Sequence, residues 1–128
     1  MKLEVWYLDD ELELLELVSD YLTSDKVQFK TFDLVDSLLS ELKLKTPDVI
    51  IIDHRLPGTS GLDVAAKIDQ LVTVKIPKIL VSGDFQYFPN KAFARVFGKP
   101  FEFDEINKYL NTLHSEKVLS KSTKNKVA

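Results

Sequence analysis

The stretch Asp48-Val-Ile-Ile-Ile-Asp53 constrains this chain more than any other: four consecutive apolar residues, three of them isoleucine, stop at a carboxylate. A continuous β-branched run has no polar face to give to water. It reads as a central strand of a parallel sheet, covered by helices on both sides. Ligands in open α/β sheets bind outside the carboxyl ends of such strands, so Asp53 stands where chemistry is expected. The loop that follows, His54 to Gly61, is punctuated by Pro57, Gly58 and Gly61.

The remaining segments alternate in the same manner. Leu3–Leu8 reads as a strand that runs into Asp9-Asp10-Glu11, three acids at the start of a helix, where the dipole favours negative charge. That helix carries Leu14, Leu15, Leu17, Val18, Tyr21 and Leu22 at helical spacing. Val27–Phe32 suggests a short edge strand. Asp33 and Asp36 resemble a capping pair before Leu34, Val35, Leu38, Leu39 and Leu42. Ser60 and Asp63 are placed to cap a helix with Leu62, Ala65, Ala66, Ile68 and Leu71. Lys78–Ser82 reads as a fourth strand and Arg95–Gly98 as a short fifth one. Phe103, Ile106, Tyr109, Leu110 and Leu113 mark a last amphipathic helix. Strands alternating with helices imply a doubly wound α/β fold on a five-stranded parallel sheet.

Composition narrows the chemistry. No cysteine is present, which excludes disulfides, thiolate metal sites and cysteine nucleophiles. No apolar run approaches the roughly 18 residues needed to span a bilayer, and Met1-Lys-Leu-Glu lacks a signal-peptide segment, so a cytoplasmic protein without a membrane span is expected. Residues 115–128 hold four lysines against one glutamate, while the rest of the chain carries 13 basic and 19 acidic residues. An acidic body argues against direct DNA binding, which needs a basic surface. One domain is expected over 1–114, followed by a basic, disordered tail over 115–128, where sustained apolar periodicity is missing.

Polar residues end four strands: Asp9 and Asp10, Asp53, Ser82 and Lys99. In a parallel sheet these ends share one edge, with neighbouring strands ~4.8 Å apart. Three crowded carboxylates repel one another unless a cation sits among them, and oxygen ligands alone suit a hard ion such as Mg²⁺. A lysine and a hydroxyl facing the same point suit a phosphoryl group, which a carboxylate can accept by nucleophilic attack.

The ordered set Leu8-Asp9-Asp10-Glu11, Asp53 with Leu56-Pro57-Gly58 and Gly61, Ser82-Gly83, and Lys99-Pro100-Phe101 resembles the receiver domain of two-component response regulators, over residues 3 to about 114. The resemblance implies a flavodoxin-like strand order 2-1-3-4-5. It implies that Asp53 accepts a phosphoryl group from a histidine kinase or a histidine phosphotransfer protein. Asp10 would bind Mg²⁺ directly, with Asp9 assisting and the backbone carbonyl of Arg55 completing the protein ligands beside Asp53. Ser82 would move toward the phosphoryl group on activation, and Lys99 would pair with its oxygens. His54 is read as a loop residue.

Two features depart from the family pattern. Val96 stands three residues before Lys99, where an aromatic usually relays the signal. Only 16 residues separate Ser82 from Lys99, too few for a full fourth helix and a strand, and Pro89 falls among them. A shortened or irregular fourth helix is expected, with one turn at most over Pro89–Phe93. Seven of the 13 aromatics, Phe85, Tyr87, Phe88, Phe93, Phe97, Phe101 and Phe103, fall in this region, as packing for the gap or as a partner-binding patch. Arg55 and Asp84 present opposite charges on neighbouring loops.

The expected function is a phosphorylation-controlled signalling module, a switch for an unidentified protein target or a phosphorelay carrier. The alternative is a phosphorylation-independent interaction module on the same fold. Because the chemistry is stoichiometric, no enzymatic activity on an external substrate is expected. Arg55 occupies the place of the second acid that an Asp-nucleophile phosphatase would use, and no glycine-rich nucleotide loop is present.

Overall fold

The computed structural model describes residues 1–83, 92–99 and 103–127, with side chains to Lys121. Five parallel strands, β1 (Leu3–Leu8), β2 (Val27–Phe32), β3 (Val49–Asp53), β6 (Lys78–Ser82) and β7 (Arg95–Gly98), form one sheet in the order β2-β1-β3-β6-β7. The short strands β4 (Arg55–Leu56) and β5 (Thr59–Ser60) pair with each other as a separate antiparallel ribbon. Counting only the main sheet, this is the expected order 2-1-3-4-5. The helices are α1 (Leu12–Leu22), α2 (Val35–Leu42), α3 (Gly61–Leu71) and α4 (Phe103–Val127).

The unbroken apolar run of β3 is explained by its two covered faces. Ile51 packs into a core with Leu15, Val18 and Leu22 of α1 and with Ile106 and Leu110 of α4. Ile50 and Ile52 point the other way, into a core with Leu38 and Leu42 of α2 and Val64, Ala65 and Ile68 of α3. β1 divides in the same way: Leu3, Val5 and Tyr7 on the α1/α4 side, Trp6 and Leu8 on the other. β2, paired on one side only, keeps just its two ends, Val27 and Phe32, buried.

Register places the strand ends together. Leu8 lies opposite Ile52, Asp53 opposite Val81, and Ser82 opposite Gly98. The loop after β3 closes tightly over the sheet edge: His54 N–H donates to Val81 O at 2.9 Å, and Gly61 N–H to His54 O at 2.9 Å. A Cβ on Gly61 would lie 2.7 Å from Leu80 Cδ1 and 2.9 Å from the Asp53 carbonyl oxygen, so the start of α3 reaches the sheet only as glycine. Ser60 caps α3 as expected, accepting from Asp63 N–H at 3.2 Å.

Several local expectations are corrected. Asp33 does not cap α2; Leu34 occupies the N-cap position, 60% exposed, and Asp36 falls in the first turn. On α1, Leu17 and Tyr21 face outward, and Tyr21 packs its ring 4.4 Å from that of Phe103. The disordered tail expected from residue 115 is instead a continuation of α4 to Val127. Anchors absent from any apolar periodicity hold its first turns: Lys117 Nζ donates at 2.8 Å to Lys2 O and at 2.8 Å to Asp48 Oδ2. His114 Nε2 lies 3.0 Å from Met1 O. Glutamate and lysine both propagate helix readily once it is started.

The expected irregular fourth helix, with Asp84, Phe85, Tyr87, Phe88 and Pro89, and also Phe101, lie outside the described residues. Of the aromatic region, Phe93 and Phe97 are buried, on opposite faces of the sheet, and Phe103 packs beside Phe97's core. Val96 is exposed on β7. No described helix is long and apolar enough to cross a membrane.

Candidate functional site

β1, β3 and β6 deliver Asp9, Asp53 and Ser82 to one sheet edge because all three strands run parallel and end in register. The side chains of Asp9, Asp53 and Ser82 are buried, whereas Asp10 is exposed at the rim. Lys99, directly after β7, is fixed by its backbone N–H, which donates to Ser82 O at 2.8 Å. Its Nζ reaches back across the sheet to lie 3.1 Å from Asp9 Oδ2 and 3.3 Å from Asp53 Oδ1. An open cavity of about 400 Å³ above them is lined by Asp10, Glu11, Asp53, Arg55, Gly83 and Lys99.

Every sequence-predicted position therefore meets at this edge, with two distinctions. Ser82 is buried at the end of β6, one residue before Gly83 of the cavity wall. Arg55 gives the Asp53 carboxylate a backbone hydrogen bond, and the residue is exposed at the cavity wall. Two participants were not foreseen. The Glu11 N–H donates to Asp9 Oδ1 at 3.0 Å, and the buried Tyr7 hydroxyl donates to Asp9 Oδ2 at 2.6 Å. Tyr7 was legible in part: it precedes Asp9 by two residues on a strand, so both side chains share a face.

Electrostatics at the site are unbalanced. Burial, and then the neighbouring Asp9 charge, push the Asp53 carboxyl up to about 6. Lys99 and the Arg55 amide pull the other way but only partly offset the shift. Burial works against the Lys99 ammonium, yet Asp9 and then Asp53 outweigh it and hold its pKa above the usual lysine value. Burial and the bond to Asp9 raise the Tyr7 phenol far above its ordinary range, so it stays a donor.

One carboxylate oxygen from each of Asp9, Asp10 and Asp53 lies within 4.8 Å of the others. Opposite ligands of an octahedral Mg²⁺ are ~4.2 Å apart at ~2.1 Å per bond. A donor set of carboxylate oxygens at this spacing fits a small hard cation after a slight inward movement, and Lys99, the ammonium beside it among the described residues, does not balance three acids.

The family model of the response regulator receiver domain matches residues 5–111, and the chain belongs to that family. The DNA-binding transcriptional regulator NtrC of Klebsiella pneumoniae is 29% identical over 114 residues, covering 78% of this chain and 22% of that protein. The chain thus spans about a fifth of the length of such relatives. The response regulator TrrA of Thermotoga maritima, solved in complex with Mg²⁺ and BeF, superposes with a TM-score of 0.76 at 27% identity over 88% of this chain and 99% of that one. A CheY-like receiver domain from Methylobacillus flagellatus superposes with a TM-score of 0.80 at 20% identity, again over 88% and 99%, a likeness of fold.

Proposed function

We propose that this receiver domain works as a phosphorylation-controlled signalling module. Asp53 accepts a phosphoryl group from a histidine kinase or histidine phosphotransfer protein, and the product either switches a protein target or passes the group along a relay. The observation that carries this reading is the placement of Lys99 Nζ 3.3 Å from Asp53 Oδ1 at the mouth of an acidic cavity. An ionised Asp53 oxygen attacks phosphorus while the P–N bond to the donor imidazole breaks, leaving its electron pair on that nitrogen. Lys99 follows the negative charge onto the phosphoryl oxygens, and Ser82 supplies a hydroxyl donor. Asp10, Asp53, Asp9 and the carbonyl of Arg55 are the residues proposed to hold Mg²⁺. When bound, it neutralises charge between acceptor and phosphoryl oxygens.

The reaction consumes one acceptor per event, so the chain is proposed as a self-modifying carrier or switch, not as an enzyme with an external substrate. No direct DNA binding is proposed: NtrC is matched over only 22% of its length, and the body of this chain is acidic.

Incubation with MgCl₂ and acetyl phosphate, followed by intact-mass analysis, tests the reading. One phosphoryl group, ~80 Da, should add to the wild type and not to Asp53→Asn. No adduct on the wild type, with Mg²⁺ bound, would replace this reading by the phosphorylation-independent interaction module.

A further inference from the structure

Behind the acidic cluster, Tyr7 has no part in the phosphoryl chemistry, yet its hydroxyl makes one of the shortest polar contacts among the described residues. The ring is fully buried among Val5, Ile51, Val81, Phe97 and Ile106. The hydroxyl leaves this apolar surround only at its tip, 2.6 Å from Asp9 Oδ2. Asp9 is itself fully buried, and its other oxygen accepts the Glu11 N–H at 3.0 Å. The carboxylate is therefore held at both oxygens by donors on its own strand and the turn after it. Lys99, at 3.1 Å from Asp9 Oδ2 and 3.3 Å from Asp53 Oδ1, is shared between the two acids.

We propose that Tyr7 is a positioning residue of the metal site: its hydroxyl fixes Asp9 in orientation and gives it a neutral partner, so that Lys99 stays shared between Asp9 and Asp53. Without that hydroxyl, Lys99 still reaches Asp9 Oδ2, at 3.1 Å. It would be drawn onto Asp9, blocking the acidic cluster with an ammonium that an entering cation must displace. A short charge-assisted hydrogen bond from behind a ligand also fixes which lone pair faces the metal. This inference rests on the acidic cluster being a Mg²⁺ site.

Titration of the full chain with MgCl₂, followed by calorimetry, provides the test. Tyr7→Phe keeps the buried ring and should raise the Mg²⁺ Kd about 10-fold, the lower end of what removing such a supporting partner costs. In an Asp9→Asn background the same change should alter Kd by less than about twofold, because the residue it acts through is gone. A tyrosine serving only as core packing would lower stability equally with and without Mg²⁺ and leave Kd unchanged. A Kd for Tyr7→Phe within about twofold of wild type, while Asp10→Asn still weakens binding, would overturn the inference and leave the metal site standing. A wild type that binds no Mg²⁺ would overturn both.

A second measurement leaves Tyr7 in place. In a chain carrying Tyr21→Phe, Tyr87→Phe and Tyr109→Phe, Tyr7 is the only tyrosine. Its ultraviolet resonance Raman doublet should report a strong hydrogen-bond donor both before and after MgCl₂ is added. A weak-donor signature in either state would overturn the proposal.

Discussion

The two ends of the sheet handle negative charge in opposite ways. At the edge where the strands begin, acids are matched one by one. Asp48 accepts from Lys117 Nζ at 2.8 Å and from Glu4 N–H at 2.7 Å, while Glu4 pairs with Lys45 at 2.8 Å. At the edge where the strands finish, Asp9, Asp10 and Asp53 crowd together, and among the described residues Lys99 bridges two of them. The first arrangement stabilises the folded chain; the second leaves it in need of a cation. Both ends carry similar residue types, so the difference lies in placement: partners at the first end arrive from α4 and a loop, and the second end opens onto a cavity. In the proposed function, that unmatched charge is what would draw a cation to the edge.

The largest expected effect comes from removing the shared cation. Lys99→Ala should slow labelling by acetyl phosphate by ~10²–10³-fold, the usual cost of deleting one donor aimed at a developing negative oxygen. Timed intact-mass measurements at saturating Mg²⁺ check this, and a rate within threefold (roughly 0.6 kcal/mol) would show that Lys99 does not reach the phosphoryl oxygens.

A carboxylate swap at each end should then change stability in opposite directions. Asp53 is pushed up to about 6 in the folded chain against an ordinary 3.8. Between those values the folded state binds more protons than the unfolded one, so this group's contribution falls as pH rises through that window. Metal-free Asp53→Asn should therefore be more stable than wild type by ~1–3 kcal/mol at pH 7, with the advantage shrinking toward pH 4. Asp48→Asn should instead be less stable by ~1–2 kcal/mol at pH 7, having lost an ion pair and weakened a backbone cap. Urea unfolding in EDTA at several pH values measures both. Equal signs would erase the contrast between the ends.

The smallest effect belongs to the exposed pair at the matched end. Lys45 is 57% exposed, so Lys45→Ala should cost under ~1 kcal/mol and should lose even that in high salt. A larger, salt-independent loss in thermal denaturation would mean that this pair braces the sheet more than its exposure allows.

Much of this was legible along the chain. The β3 run, its terminal Asp53, the alternating elements and the Ser60 cap are set by local periodicity and short-range chemistry, and they appear as read. Asp33 failed as a cap because the chain turns into α2 one residue later than the acid pattern suggests. Leu17 and Tyr21 share helical spacing with true core residues, yet the stripe that α1 buries is only wide enough for Leu15, Val18 and Leu22. The C-terminal segment lacks an apolar repeat, and where it begins α4 makes polar contacts with Met1 and Asp48 instead.

The sequence by itself determined which residues end the strands and so which chemistry the edge could support, because a strand's covering and its terminal side chain are local matters. Only the tertiary structure decided how those residues share charge. Lys99 comes to rest between Asp9 and Asp53, Lys117 lands on Asp48, and the tip of a core tyrosine meets a carboxylate. Such pairings depend on strand register and helix docking between distant segments, and a linear pattern carries no record of which distant neighbour a side chain will find.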